Sequence, residues 1–374
     1  MMKVCLLNDS FPPVIDGVAN TVENYASVMT EEGLAEAVVA TPAYPDADYE
    51  LFPYKVYPYK SIDTTALIHG YRAGNPLNHK TIADIRRFGP DIIHTHCPFS
   101  STVLARLIRT ETHAPIVFTY HTKFDYDIRM AVKAKFLQKE AVNLIVKNVS
   151  ACDEVWTVSK GAGEDLKALG YSGEYRVMNN GVDFDKGTVS DELVKEAIGE
   201  KDVPGDIPLF LFVGRIMEYK GIPIIIDAMK KLSESGINYR MVFVGGGTDR
   251  EKLEQRVKDN GIAMDSYDGD KCTVTPGKDG MSGKIIFVGP VYDRDLLRAW
   301  NTRADLFLFP STYDTNGIVV REAAACGTAS VLIRDSCASE GITDGRNGFL
   351  INENADSMYD LLKEIAPKRD VMRQ

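Results

Sequence analysis

Two carboxylates eight positions apart, Asp314 and Glu322, bracket a short loop and an apparent helix start in Ser311-Thr-Tyr-Asp-Thr-Asn-Gly-Ile-Val-Val-Arg-Glu-Ala-Ala-Ala-Cys-Gly327. That spacing puts Asp314 ahead of the helix and Glu322 more than one turn into it, so the two acids can grip different parts of one extended ligand. One can hold a sugar and the other a ribose. Between them, the backbone N–H groups of Gly317, Ile318 and Val319 fall at a helix N-terminus, where unbonded donors and the helix dipole favour a phosphate. Sugar, phosphate and ribose in that order make a nucleotide-sugar. The plainer alternative is that both acids favour the helix dipole and face solvent.

A second set of charges, Arg215 and Lys220, stands in Pro208-Leu-Phe-Leu-Phe-Val-Gly-Arg-Ile-Met-Glu-Tyr-Lys-Gly221, between an apolar strand-like run and an apolar helical stretch from Ile222 to Leu232. Open α/β sheets bind ligands at the carboxyl ends of their strands, so this position favours a site over two stray surface cations. Arginine offers phosphate a planar fork, and lysine a compact charge. In the amino-terminal half, Lys3 to Asn8 reads as a buried first strand, Asp9 to Gly17 as its loop and Val18 to Met29 as a helix. Gly17 would let the backbone approach a phosphate closely, although the same glycine serves an ordinary turn. The run Ile116-Val-Phe-Thr-Tyr-His-Thr-Lys123 reads as a core strand that delivers His121 to its carboxyl end. His94 and His96 end the preceding strand, and for His94 a structural role is the expectation.

These residues need a scaffold of alternating strands and helices. Apolar runs predict strands near 3–8, 37–41, 91–95, 115–120, 154–158 and 175–179, then a second series near 208–213, 240–244, 284–288, 305–309, 329–333 and 348–351. Helices fall between most of them, which makes the chain α/β with two parallel-type sheets. The break is expected after Asn180-Gly-Val-Asp183, giving domains 1–183 and 184–374, with 185–207 as a linker region holding a short helix over 191–199. Asp265 to Gly283, polar and rich in glycine, reads as a mobile insertion. Arg129 to Val149 carries Arg129, Lys133, Lys135, Lys139 and Lys147 against Glu140, interleaved with apolar residues. Such a basic amphipathic helix can lie on anionic lipid, and it can equally be an ordinary surface helix with one face in the core.

The acid-x7-acid segment resembles the signature of retaining glycosyltransferases of family 4, which have the GT-B fold of two Rossmann-like domains facing a cleft. The resemblance extends to Gly214–Gly221, to Asp16-Gly-Val-Ala-Asn20 and to Asn180–Asp183. Within it, Gly214, Arg215 and Lys220 hold the donor diphosphate, Gly17 faces it from the other domain, and His121 lies beside the transferred sugar. Asn316 and Gly317 to Val319 complete the donor loop, Glu322 holds the ribose and Asp314 the sugar. Val291, in Phe287-Val-Gly-Pro-Val291, is the candidate for the nucleobase, and Gly245-Gly-Gly-Thr248 either shapes the nucleotide pocket or is a plain strand–helix turn. His96 is a candidate for the acceptor cleft. The signature usually begins with Glu; Asp314 retracts the carboxylate by roughly 1.5 Å, so the sugar sits closer or has a different hydroxyl pattern. The helix that crosses back to the first domain in this fold is expected to be short or absent, since 366–374 form a charged tail.

Across nearly all its length the chain is similar to bacterial diacylglycerol glucosyltransferases, especially through Tyr59–Pro76, the Asp-Thr-Asn-Gly loop and the basic segment after His121. The resemblance implies retaining transfer of a hexose, glucose from UDP-glucose, to diacylglycerol, without metal or other cofactor. Lys123, Arg129, Lys133, Lys135 and Lys139 would then meet acceptor or membrane. Transfer to a soluble sugar or small alcohol is one alternative, and a protein that binds a nucleotide-sugar without transferring it is another. A net charge of −10, shared by both halves, excludes nucleic acid as the general partner. Six cysteines without a CxxC pair argue against structural zinc and, with no signal peptide, for the cytoplasm, with peripheral attachment to the cell membrane.

Overall fold

The computed structural model describes residues 1–14, 16–64, 72–124, 128–129, 132–368 and 372. Residues 65–71 of the Tyr59–Pro76 segment, Met130 and Ala131 of the basic segment and most of the tail beyond Lys368 lie outside them. Two compact units divide between Asn180 and Gly181. The expected boundary lay at Asp183, but Asp183 pairs with Arg294 and Phe184 is buried in the carboxyl-terminal core, so both belong to the second unit.

The amino-terminal unit is a parallel sheet in the order β3-β2-β1-β6-β7-β8-β9, seven strands among the described residues. These are β1 (Met2–Leu7), β2 (Ala35–Pro42), β3 (Lys55–Tyr59), β6 (Ile92–Thr95), β7 (Ile116–Tyr120), β8 (Glu154–Thr157) and β9 (Arg176–Val177). A small hairpin of β4 (Ser61–Asp63) and β5 (Arg72–Gly74) was not expected from the sequence. Successive side chains of a strand point to opposite faces, and β1 accordingly sends Cys5 and Leu7 into one apolar cluster and Val4 and Leu6 into another. Because β1 pairs with β2 on one side and β6 on the other, the loops leaving β1 and β6 diverge at the sheet's carboxyl end.

The carboxyl-terminal unit repeats the plan in the order β13-β12-β14-β11-β10-β15-β16-β17. Here β10 is Leu209–Val213, β11 Arg240–Val244, β12 Ala263–Asp268, β13 Lys271–Thr275, β14 Lys284–Gly289, β15 Leu306–Phe309, β16 Ser330–Ile333 and β17 Phe349–Ile351. Every residue of β10, β11 and β15 is buried, as strands covered on both faces must be. The expectation of a mobile insertion over 265–283 is corrected: β12 runs parallel to β14, and β13 turns back antiparallel at Gly269 to become the sheet edge. Lys284 on β14 fastens the hairpin by donating to Asp265 at 3.0 Å while reaching Asp202 at 2.9 Å.

Two further expectations change. The basic helix runs Lys135–Val149 rather than from Arg129, and Arg129 and Lys133 precede it. It packs Ile145 and Val149 inward and leaves Phe136, Leu137 and Leu144 exposed beside Lys135 and Lys139. In the tail, Met372 is fully buried in the carboxyl-terminal core, so that segment does have something to bury. No helix among the described residues is long and apolar enough to cross a membrane.

Candidate functional site

In the carboxyl-terminal unit β10 lies between β11 and β15, so the loops after β10 and β15 open at a switch point in strand order. Their approach depends on Gly221, at φ 77°, which ends the short 3-10 turn Glu218–Lys220 and begins the helix Ile222–Glu234. A Cβ there would lie 2.1 Å from the Pro310 carbonyl oxygen, so only glycine lets the two loops meet. Gly245 and Gly247 act likewise from the other side: a Cβ on either would strike the carbonyl oxygen of Gly214 or Ile216, at 2.0 and 2.2 Å. The triple-glycine turn thus backs the Gly214–Ile216 loop, and Ile216 donates to the Gly246 carbonyl at 2.8 Å.

This packing brings Lys220 and Asp314 together. The Lys220 ammonium, 7% exposed, donates to Asp314 Oδ1, and the Ser311 hydroxyl donates to Oδ2. The rings of Tyr219, Tyr313 and Phe309 surround Nζ at 5.6, 5.8 and 6.0 Å, within cation–π range. Burial acts to raise the Asp314 pKa, but Lys220, Ser311 and the charge of Arg215 outweigh it and leave the carboxyl below its usual range. Arg215 itself is exposed.

Three residues beyond Asp314, Gly317, whose φ of 58° turns the chain without a side-chain cap, starts the helix Ile318–Ala325. The amides of its first turn are those a helix leaves without an acceptor of its own. Asn316 is buried and its Oδ1 accepts from Arg321 Nε at 3.0 Å, which braces the turn. Glu322 is buried on this helix, and burial together with the charge of Asp183 raises its pKa against the opposing pull of Arg294. Arg294 Nη2 donates to Glu322 Oε1 at 2.9 Å and also to Asp183, with the guanidinium carbon 4.3 Å from the Phe184 ring centroid. Each acid of the spaced pair is thus held by a cation from another element, Lys220 of the 3-10 turn and Arg294 at the start of the helix Arg294–Arg303. Arg294, Asp183, Ser311 and the tyrosine pair were not foreseen. Val291 is half-buried against the same core.

The amino-terminal unit gathers its own polar residues at the carboxyl end of its sheet. Asp16 caps the helix Gly17–Glu31 and accepts from Ser10 Oγ at 2.8 Å, which fixes exposed Gly17 as the first helical residue. His121, at the end of β7, shares a 2.9 Å hydrogen bond between its Nε2 and His96 Nδ1, while His94 Nε2 meets Thr119 Oγ1 at 2.7 Å. All three imidazoles are buried. Burial pushes His94 down to about 3 and His121 to about 4, the latter against the charge of Asp16, and it drives His96 well below the ordinary value. These rings are neutral at pH 7. Lys123 pairs with Asp165 at 3.1 Å.

Residues 15–186 match the model of Glycosyltransferase Family 4, and residues 207–366 that of Glycosyl transferases group 1. An α-monoglucosyldiacylglycerol synthase of Acholeplasma laidlawii is 24% identical, with 96% of this chain and 87% of that protein aligned. The sulfoquinovosyl transferase SQD2 of Arabidopsis thaliana is 28% identical, over 90% of this chain and 61% of its own length. Among solved structures, Anabaena HepE in complex with UDP-glucose superposes with a TM-score of 0.71 at 17% identity, covering 100% of this chain and 92% of that one. The fold is GT-B, as the sequence resemblance implied.

Proposed function

Since the chain belongs to the glycosyltransferases described by those two family models, we propose that it moves glucose from UDP-glucose to diacylglycerol with retention of the α configuration. The observation that carries this reading is the pair of buried Lys220 and half-buried Asp314 at the switch point, one turn ahead of the helix whose first amides follow Gly317. A cation for a diphosphate and a carboxylate for sugar hydroxyls stand side by side there. The glucosyldiacylglycerol synthase among the relatives and the UDP-glucose complex among the structural neighbours support the choice of acceptor and donor. So does the outer face of the Lys135–Val149 helix, where Phe136 and Leu137 are exposed among lysines, a composition suited to peripheral contact with anionic lipid.

In this reaction the bond from the anomeric carbon to the diphosphate oxygen breaks, and the acceptor hydroxyl forms the new bond on the same face. The hydroxyl proton passes to the departing phosphate oxygen. The protein's part is to orient the partners and to stabilise developing charge. Arg215, Lys220 and the Gly317–Val319 amides neutralise the diphosphate, Asp314 holds sugar hydroxyls, and Glu322 accepts from the ribose. With two cations and a helix terminus on the leaving group, the transfer proceeds without a metal ion.

UDP release from UDP-glucose, measured with EDTA and with or without diacylglycerol in mixed micelles, tests the proposal. Lipid-dependent release that falls at least about a hundredfold in Lys220→Ala and Glu322→Gln, with both variants folded, is the expected result. Release that ignores lipid and responds to a sugar or inositol phosphate would instead favour a soluble acceptor. The 28% identity to a D-inositol 3-phosphate glycosyltransferase over 70% of this chain makes that the second reading.

A further inference from the structure

Arg294 has no place in the donor machinery described above, yet among the described residues it is the side chain that bonds the acid assigned to the ribose. It is the first residue of the helix Arg294–Arg303, whose start is set by Asp293 accepting from the amides of Asp295 and Leu296 at 2.8 and 3.0 Å. Its guanidinium lies over the Phe184 ring, and Nη2 is shared between Asp183 and Glu322. Backbone, ring and ion pair therefore fix the fork before any ligand arrives. Glu322 needs that support: its side chain is 8% exposed, and a buried carboxylate without a partner either gives up its charge or turns away. Asp183 adds a second negative charge to the same neighbourhood.

We propose that Arg294 is the positioning residue for Glu322, holding its carboxylate charged and aimed so that recognition of the nucleotide's ribose depends on Arg294. The inference rests on the reading of Glu322 as the ribose acceptor. The rival relation is competition, in which Arg294 occupies Glu322 and must be displaced by the ribose. The two predict opposite signs. Support predicts that removing the guanidinium weakens nucleotide binding, and competition predicts that it tightens it.

The test is calorimetric titration of the full chain with UDP and with 2′,3′-dideoxy-UDP, for the wild type, Arg294→Met, Arg294→Lys, Glu322→Gln and the Met/Gln double variant. Support predicts about a tenfold loss of UDP affinity in Arg294→Met, the scale of one charge-assisted hydrogen bond. It also predicts a collapsed preference for UDP over the dideoxy analogue, and no further loss when Glu322→Gln is added. Arg294→Lys, which keeps the charge without the fork, recovers part of the preference. A pH series adds a readout that a purely structural role would not move. The titratable and charged groups recorded around Glu322 are Arg294 on the facing helix, Asp183 on the segment entering the unit, and Cys326 one turn along its own helix. Without Arg294 the carboxyl protonates at higher pH, so UDP affinity in Arg294→Met falls as pH drops from 8 to 6 while that of the wild type changes less than about twofold. Unchanged or tighter UDP binding in Arg294→Met, with Glu322→Gln weakened, overturns the inference alone. Wild-type affinity in Glu322→Gln removes the ribose reading and the inference together.

Discussion

Lys220 is almost wholly withdrawn from water, and Asp314 and three aromatic rings stand around its Nζ where water would be. Asp314 ionises below the usual carboxylate range, so its contribution to stability is present above the unfolded value near 4 and is lost as pH falls through the lower folded one. Lys220→Met leaves that half-buried carboxylate without its ion-pair partner and with only the Ser311 hydroxyl donating to it, at a cost of about 2 kcal/mol at pH 7. Urea denaturation should show this loss, with much of it recovered in the Lys220→Met/Asp314→Asn double variant; no recovery would mean that lysine packing, rather than charge, is what matters. Both members of the pair were legible in the sequence, because each follows an apolar strand within a short loop. Arg294 was not. It lies 111 residues from Asp183 and 28 from Glu322, and no local spacing announces a contact made only by the folded sheet.

At the scale of elements, the loops of the site are held by glycine contacts rather than by side chains. Gly221 and Gly236 have similar backbone, φ 77° and 81°, but a Cβ meets the Pro310 carbonyl at the first and nothing within 4 Å at the second. Gly236→Ala should therefore cost about 1 kcal/mol of left-handed strain, while Gly221→Ala should cost more and also weaken UDP binding severalfold. Equal losses of stability in thermal melts, with UDP affinity intact in both, would show that the loops reach each other without help from Gly221. The central strands could be read from their continuous apolar runs. The β12–β13 hairpin could not: the edge strand Lys271–Thr275 exposes four of its five residues, and Ala263–Asp268 buries Asp265 beside Met264, so neither carries a continuous apolar run. The same reasoning explains the basic helix, where residue types gave the amphipathic character but not the true start at Lys135.

The molecule as a whole is two units, each with apolar clusters of its own, and only the amino-terminal one buries three neutral histidines. An unfolded histidine protonates near pH 6.5, while these do so far lower in the fold. The unfolded chain therefore binds protons first. Stability is intact above about pH 6.5 and declines as pH falls toward the folded values, by about 1.4 kcal/mol per pH unit for each histidine. The two tryptophans report the units separately, Trp156 from β8, 5.1 Å from the His94 ring, and Trp300 from the other core. Between pH 7.5 and 5.5, the denaturation midpoint seen by Trp156 in Trp300→Phe should drop well beyond that seen by Trp300 in Trp156→Phe. Parallel shifts would rule out the histidine cluster as the source.

The order of strands in the second sheet also separates what must stay fixed from what is free to vary. β13 is separated from β10 by the three strands β12, β14 and β11, and its turn at Gly269 has open space where a Cβ would be. The loops after β10 and β15 accept no change in length, because a shift in either would part Lys220 from Asp314. The Gly269–Asp270 turn is under no such constraint. It is the place where a lineage could lengthen this chain, or an engineer graft a foreign module, without the grip on the donor registering the change.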